Sequence, residues 1–433
     1  MARVTGRHAH AHSHLDAPDG PDVGSRPGAR RALLAFLGVA GLATVLGLVL
    51  LWPQGDARVE DASAAFVAPG VTFQSAEVTD VAEACPAPQP AGGTGGTGSD
   101  PAAPTPGTSR GDVERQQGCG QVSARVLTGD EAGTEVTVGV PPEVSRSGLR
   151  SGDRVQLLQV PSQAGTETPF SFVNVERNAP IGWLALAFVV VVALVARLRG
   201  LLALVGLGVG ALVLVRFVLP ALLEGGDGLL VAMTGSSAIM FVVLYLAHGV
   251  SVRTSAALAG TLLGVAVTAA IGILAIDRTR LTGVSDETGQ LLATFLTDLD
   301  FQGLLTCAVI VAGLGVLNDV TITQASAVWE LRAVAPELGR AELFTRGMRI
   351  GRDHIASTIY TIVFAYSGAA LSVLLLLSFY ERPALSLVST EDFAEEIVRT
   401  LASGIGLVLA VPITTAIAAL TVEAARPRDT ADA

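Results

Sequence analysis

Apolar and polar positions follow two different rhythms along this chain. A first unbroken apolar run covers 32–52, and seven more follow at 181–196, 201–219, 229–247, 255–276, 303–328, 355–379 and 400–422. A helix of about 20 apolar residues crosses a bilayer, so the runs predict about eight transmembrane helices joined by short polar loops. Between the first run and the rest the period changes. VTFQSAEVTDV, QVSARVLTG, TEVTVGV, DRVQLLQV and FSFVNVE alternate at strand spacing. Turns are expected at Thr128-Gly129-Asp130, Pro141-Pro142 and Ser151-Gly152-Asp153. The expected architecture is an all-α polytopic membrane bundle carrying one small extracytoplasmic β-barrel-like domain. Its parts are a disordered tail at 1–30, a first membrane helix at 31–52, the β domain at 53–178, a seven-helix membrane domain at 179–425 and a short tail at 426–433. A Gly/Pro/Thr-rich insert at 86–111 interrupts the β domain as a loop.

Composition sharpens this picture. Half of the residues are hydrophobic, 15% are charged, and mean hydropathy is +0.54, which excludes a soluble acidic protein and a disordered chain. The lipid bilayer is therefore the first partner. The net charge of −11 comes mainly from acids in tails and outer loops, and no nucleic-acid partner is expected. All basic residues are Arg. Arg26, Arg30 and Arg31 precede the first run, whereas Asp56, Glu60 and Asp61 follow it. Arg-rich loops then recur at 197–199, 248–253 and 332–352, with acidic loops between them. By the positive-inside rule both termini are cytoplasmic. The first run is too long for a signal-peptide core and has no small-residue cleavage site close behind it, so it reads as an uncleaved helix.

Two outer loops carry amphipathic helix signals: Ser285-Asp286-Glu287 ahead of Leu291, Leu292 and Phe295, and Ser389-Thr390-Glu391-Asp392 ahead of Phe393, Ile397 and Val398. Each lies between an outgoing and a returning span, which is the pattern of a duplicated unit. Gly260-xxx-Gly264 is a spacing that lets membrane helices approach closely.

Candidate chemistry is sparse. No P-loop, HExxH, G-x-S-x-G or CxxC is present, so neither an enzyme nor a cofactor is expected. His8, His10, His12 and His14 alternate in the N-terminal tail. They could ligate a divalent metal, or simply belong to an unstructured tail. Cys85 and Cys119 flank the 86–111 insert and would form a disulfide in an oxidising compartment. Asp319 stands apart. It lies in the second half of a span, on one helical face with Gly315, Thr323, Ser326 and Glu330 and next to Asn318. A carboxylate inside a bilayer costs about 2.5–3.5 kcal/mol, so Asp319 is expected to be buried among helices as a protonatable group. The expected neighbours are on the next span, where His354 and Thr358 share a face.

From the second run to the last, the chain resembles the YibE/F family of bacterial multi-spanning membrane proteins. The resemblance is carried by GLGVLNDVTITQASAVWELR, GRDHIASTIYTIVFAYSGAALSVLLL and SGIGLVLAVPITTAIAAL with Pro412. It implies a bacterial plasma membrane protein and no particular biochemistry. LGVLNDVTITQASAVWELR also looks like a membrane-helix motif of the SecD/SecF export proteins of the resistance-nodulation-division group. That likeness implies that Asp319 is the membrane Asp and that Glu330 and Arg332 form an acidic–basic closing pair. It also implies a basic group, Arg352 or His354, at the start of the next helix. The functional expectation is a transporter or translocation-associated protein driven by the proton gradient. Asp319 would carry the proton, with Asn318, Thr323, Arg352 and His354 around it, and the substrate would be a small molecule, an ion or an envelope protein. The alternative is a non-transporting scaffold whose β domain binds an envelope partner. No feature of the sequence sets the oligomeric state.

Overall fold

A computed structural model of the chain describes residues 24–55, 70–82, 120–160, 170–296, 299–379, 386 and 388–423. It divides into two units, Met1–Ala62 with Val192–Ala433, and Ser63–Val191.

The second unit contains a five-stranded antiparallel sheet: β1 (Thr72–Ala82), β2 (Gln121–Val126), β3 (Glu135–Gly139), β4 (Arg154–Gln159) and β5 (Phe170–Val175), in the order β3-β2-β1-β4-β5. The long β1 pairs with β4 through its first half and with β2 through its second, and a bulge lies between Val78 and Asp80. Alternate residues point inward, and Ala76, Val78, Val122, Ala124, Val155 and Leu157 make the core. The expected turns at Gly129 and Gly152 form, both with positive φ. The two edge strands, β3 and β5, come near each other without a ladder between them. Among the described residues the sheet is therefore curled rather than closed into a barrel.

The membrane unit starts with α1 (Pro27–Leu50). Next, α2 (Asn178–Val213), which belongs to this unit from Val192 onward, continues through a π-helical turn, Leu214–Val218, into Leu219–Leu223. Pro220 sits just beyond that turn; it has no N–H to offer, which loosens the helical register there. The remaining helices are α3 (Gly228–His248), α4 (Val252–Thr279), α5 (Glu287–Phe295), α6 (Phe301–Val334), α7 (Arg340–Ala369), α8 (Leu371–Ser378) and α9 (Glu391–Thr421). Asp227, Ser251 and Asp300 accept from the exposed backbone N–H groups that open α3, α4 and α6.

Among the described residues, six helical stretches are long and apolar enough to span a membrane: Pro27–Leu50, Asn178–Leu223, Gly228–His248, Val252–Thr279, Phe301–Val334 and Glu391–Thr421. This differs from the eight expected runs in two places. Runs 181–196 and 201–219 fall in one stretch, broken at Arg197 with φ 52° and ψ −140°. Run 355–379 is divided between α7 and α8, and the N-terminal half of α7 is polar. The amphipathic segment expected before the last span is not a separate helix either. Residues 391–398 prolong α9, because neither Gly nor Pro intervenes before Gly404.

α4, α6 and α9 pack on one another at the centre, with α7 against α6 and α9, α3 against α6, and α1 against α3. The close crossing of α4 and α9 depends on missing side chains. A Cβ at Gly260 would strike the Thr414 hydroxyl, and one at Gly406 would strike the Thr268 hydroxyl. In lipid, where apolar burial gives little preference for protein over solvent, such approach is what allows van der Waals contact to hold helices together. The two ends of the unit meet: Ser25 bridges Val422, and the Arg26 N–H donates to the Thr421 carbonyl at 2.9 Å. The N- and C-terminal ends of the described unit therefore lie on the same side of the bundle.

Candidate functional site

The apolar half of α6 gives way to polar residues at Asn318, and the expected face forms: Gly315, Asp319, Thr323 and Glu330 are all exposed, with Ser326 half-buried beside them. The direction of that face differs from expectation. The Asp319 side chain is 67% exposed and points out of the helix packing rather than into it. Its nearest charged partner is on α7, where Nε2 of His354 lies 3.6 Å from its carboxylate oxygen and the imidazole is 28% exposed. That distance is longer than a hydrogen bond; the contact is ionic when His354 is protonated. Within α7 the backbone carbonyl of His354 accepts from the Thr358 hydroxyl at 2.8 Å.

The other expected residues divide. Asn318 stands beside the pair, half-buried, with its side-chain carbonyl oxygen buried and without a hydrogen-bond partner among the described residues. Thr323 shares the open face. Arg352 is exposed and makes no ion pair with Asp319. Glu330 and Arg332 do not close the helix as a pair. Glu330 is exposed, while Arg332 is 1% exposed and donates from one nitrogen to the carbonyls of Pro336 (3.0 Å) and Leu338 (2.8 Å). Its role is to satisfy the turn that follows α6. His8, His10, His12, His14, Cys85 and Cys119 lie outside the described residues, and Cys307 is a buried thiol in the core.

Behind the open face is a polar interior that helical periodicity did not single out. Gln324, 2% exposed, donates from one nitrogen to the Gly347 carbonyl (2.8 Å) and the Thr415 hydroxyl (2.7 Å). One amide thus ties α6 to α7 and α9. The hydroxyls of Thr261 and Thr321 meet at 2.6 Å between α4 and α6. Deeper in the same packing, Thr268, Ser403 and Thr414 have buried hydroxyl oxygens with no partner among the described residues. Small hydroxyls read as ordinary packing in sequence; only their convergence makes a seam. A carboxylate and an imidazole thus adjoin on neighbouring helices, open on one side, with hydroxyls in the interior behind them.

A family described as YibE/F-like protein matches residues 184–424, from α2 to just past the end of α9. No curated protein and no solved structure matches the chain.

Proposed function

The chain belongs to the YibE/F-like family of membrane proteins, and from that premise we propose that it couples movement of a solute across the bacterial plasma membrane to the proton gradient. In this reading both termini are cytoplasmic, the β unit is extracytoplasmic and engages cargo or an envelope partner, and no covalent chemistry is performed. The observation that carries the proposal is the Asp319–His354 pair, 3.6 Å apart on the adjacent helices α6 and α7. A carboxylate facing hydrocarbon costs about 2.5–3.5 kcal/mol, so the open face of Asp319 needs water or polar protein against it. Water reaching Asp319 would supply protons to the carboxylate, with the His354 imidazole 3.6 Å away as the adjoining group.

Asp319→Asn keeps the shape of the side chain and removes the titration. Reconstituted into proteoliposomes under an imposed gradient, the parent is expected to take up protons and Asp319→Asn to lose uptake, with melting within a few degrees of the parent because the side chain supports no packing. His354→Gln is expected to slow uptake. Full uptake in Asp319→Asn eliminates the pair as carrier. A parent that takes up no protons, with a β unit that retains an envelope protein, leaves the scaffold reading instead.

A further inference from the structure

At the end of the bundle away from the joined termini, α5, the start of α6, the end of α7 and the start of α9 line an open cavity of about 1010 Å³. Arg399 lies about 33 Å along α9 from Thr421, the thickness of a bilayer core. The cavity wall holds five carboxylates, on Asp286, Glu287, Asp392, Glu395 and Glu396, against one guanidinium, Arg399. That guanidinium pairs with Glu396 at 2.6 Å and also acts on Glu395, so the acids of the wall outnumber the one cation that serves them. Glu395 is the telling one. It is 8% exposed, its carboxyl is hydrogen-bonded by Ser285, and one carboxylate oxygen is buried with no partner among the described residues. A buried acceptor left without a donor costs about 1–3 kcal/mol, and a bound cation would remove that penalty.

We propose that this cavity binds an organic cation, an amine with an apolar or aromatic body. Glu395 would seat the charge, and the rings of Phe301, Tyr366 and Phe393, which line the wall, would hold the body through apolar and cation–π contact. A metal ion fits less well: among the described residues no three His, Cys, Asp or Glu side chains gather as metal ligands. The site is separate from the Asp319 pair, which lies about 17 Å further along α6 than Ala308, a residue of the cavity wall.

The test uses purified full-length protein in lipid nanodiscs, titrated by calorimetry with benzyltrimethylammonium and with benzylsulfonate, a similar body of opposite charge. The cation is expected to bind saturably and at least tenfold more tightly than the anion. Glu395→Gln is expected to weaken it about tenfold or more, as loss of a charge-assisted contact does. Equal binding of the two ions, or unchanged cation affinity in Glu395→Gln, overturns the proposal. Displacement of the cation by calcium at micromolar concentration also overturns it, in favour of a metal. Should Glu395→Gln fail to fold, Glu287→Gln with Asp392→Asn changes only exposed wall residues. Weaker, less salt-sensitive cation binding is then expected, and unchanged affinity rejects the site. Because binding is measured rather than proton uptake, failure here leaves the Asp319 reading standing, and the reverse holds.

Discussion

At the scale of single residues, Gln324 and Asp319 occupy opposite situations on the same helix. Gln324 is sealed in, and its amide supplies the Gly347 carbonyl and the Thr415 hydroxyl. Replacing it with Leu leaves the Gly347 carbonyl without that donor, at about 1–3 kcal/mol. Gln324→Leu is therefore expected to lower the melting temperature in detergent by several degrees, measured by light scattering or intrinsic fluorescence, while Asp319→Asn moves it little. Equal stability of parent and Gln324→Leu would show that the amide does not hold the three helices together. Helical periodicity had already grouped Gly315, Asp319, Thr323 and Glu330, and the four share one exposed face. Periodicity could not say what that face meets. It reports an angle about the helix's own axis, and the neighbour at that angle is set by other helices.

At the scale of elements, the crossing of α4 and α9 depends on the fit of Gly406 against Thr268. Gly406→Ala drives a methyl group into the Thr268 hydroxyl, an overpacking that costs about 1–3 kcal/mol. Thr268→Ala removes that oxygen and no hydrogen bond among the described residues. The double variant is expected to regain part of the lost stability, which a double-mutant cycle measures; strictly additive losses would show that the two positions do not touch. The Gly260-xxx-Gly264 spacing was legible as a close-packing signal, and both residues do meet α9: Gly260 at Thr414, Gly264 at Ala410. Its partner was not legible, because the contact joins positions far apart in the chain. Capping was more local and easier to read. Asp286 opens α5 by accepting from the Gly289 N–H at 2.6 Å, as the Ser-Asp-Glu cluster implied.

At the scale of the whole membrane unit, the Ser25–Val422 bridge and the acidic cavity mark the two ends of the bundle. The start of α6 and the start of α9 both line the cavity, so α6 ends beside the termini, and Arg340 follows it on that side. Placing that side in the cytoplasm predicts the outcome of labelling with a membrane-impermeant maleimide in intact cells, in a background with the native cysteines replaced. Arg340→Cys is expected to stay unlabelled until the cells are opened, and Glu287→Cys to label from outside. Labelling of Arg340→Cys in intact cells would invert the orientation.

Membership of the membrane class, most of the apolar helices and the alternating strands of the β unit were determined by the sequence alone. The length of an apolar run and a two-residue alternation are properties of one stretch of chain, and the solvent on each side enforces them without reference to distant residues. What the tertiary structure decided was every property that needs two stretches at once. β3 and β5 came near each other without forming a ladder, which left the sheet curled rather than closed. Arg332 went to backbone carbonyls instead of Glu330, and Asp319 came to adjoin His354 while facing outward. Asp286 and Glu395, on different helices, came to line one cavity. Those outcomes follow from which helix faces are small enough to approach and which polar groups must be satisfied once they do, conditions that exist only after the helices have met.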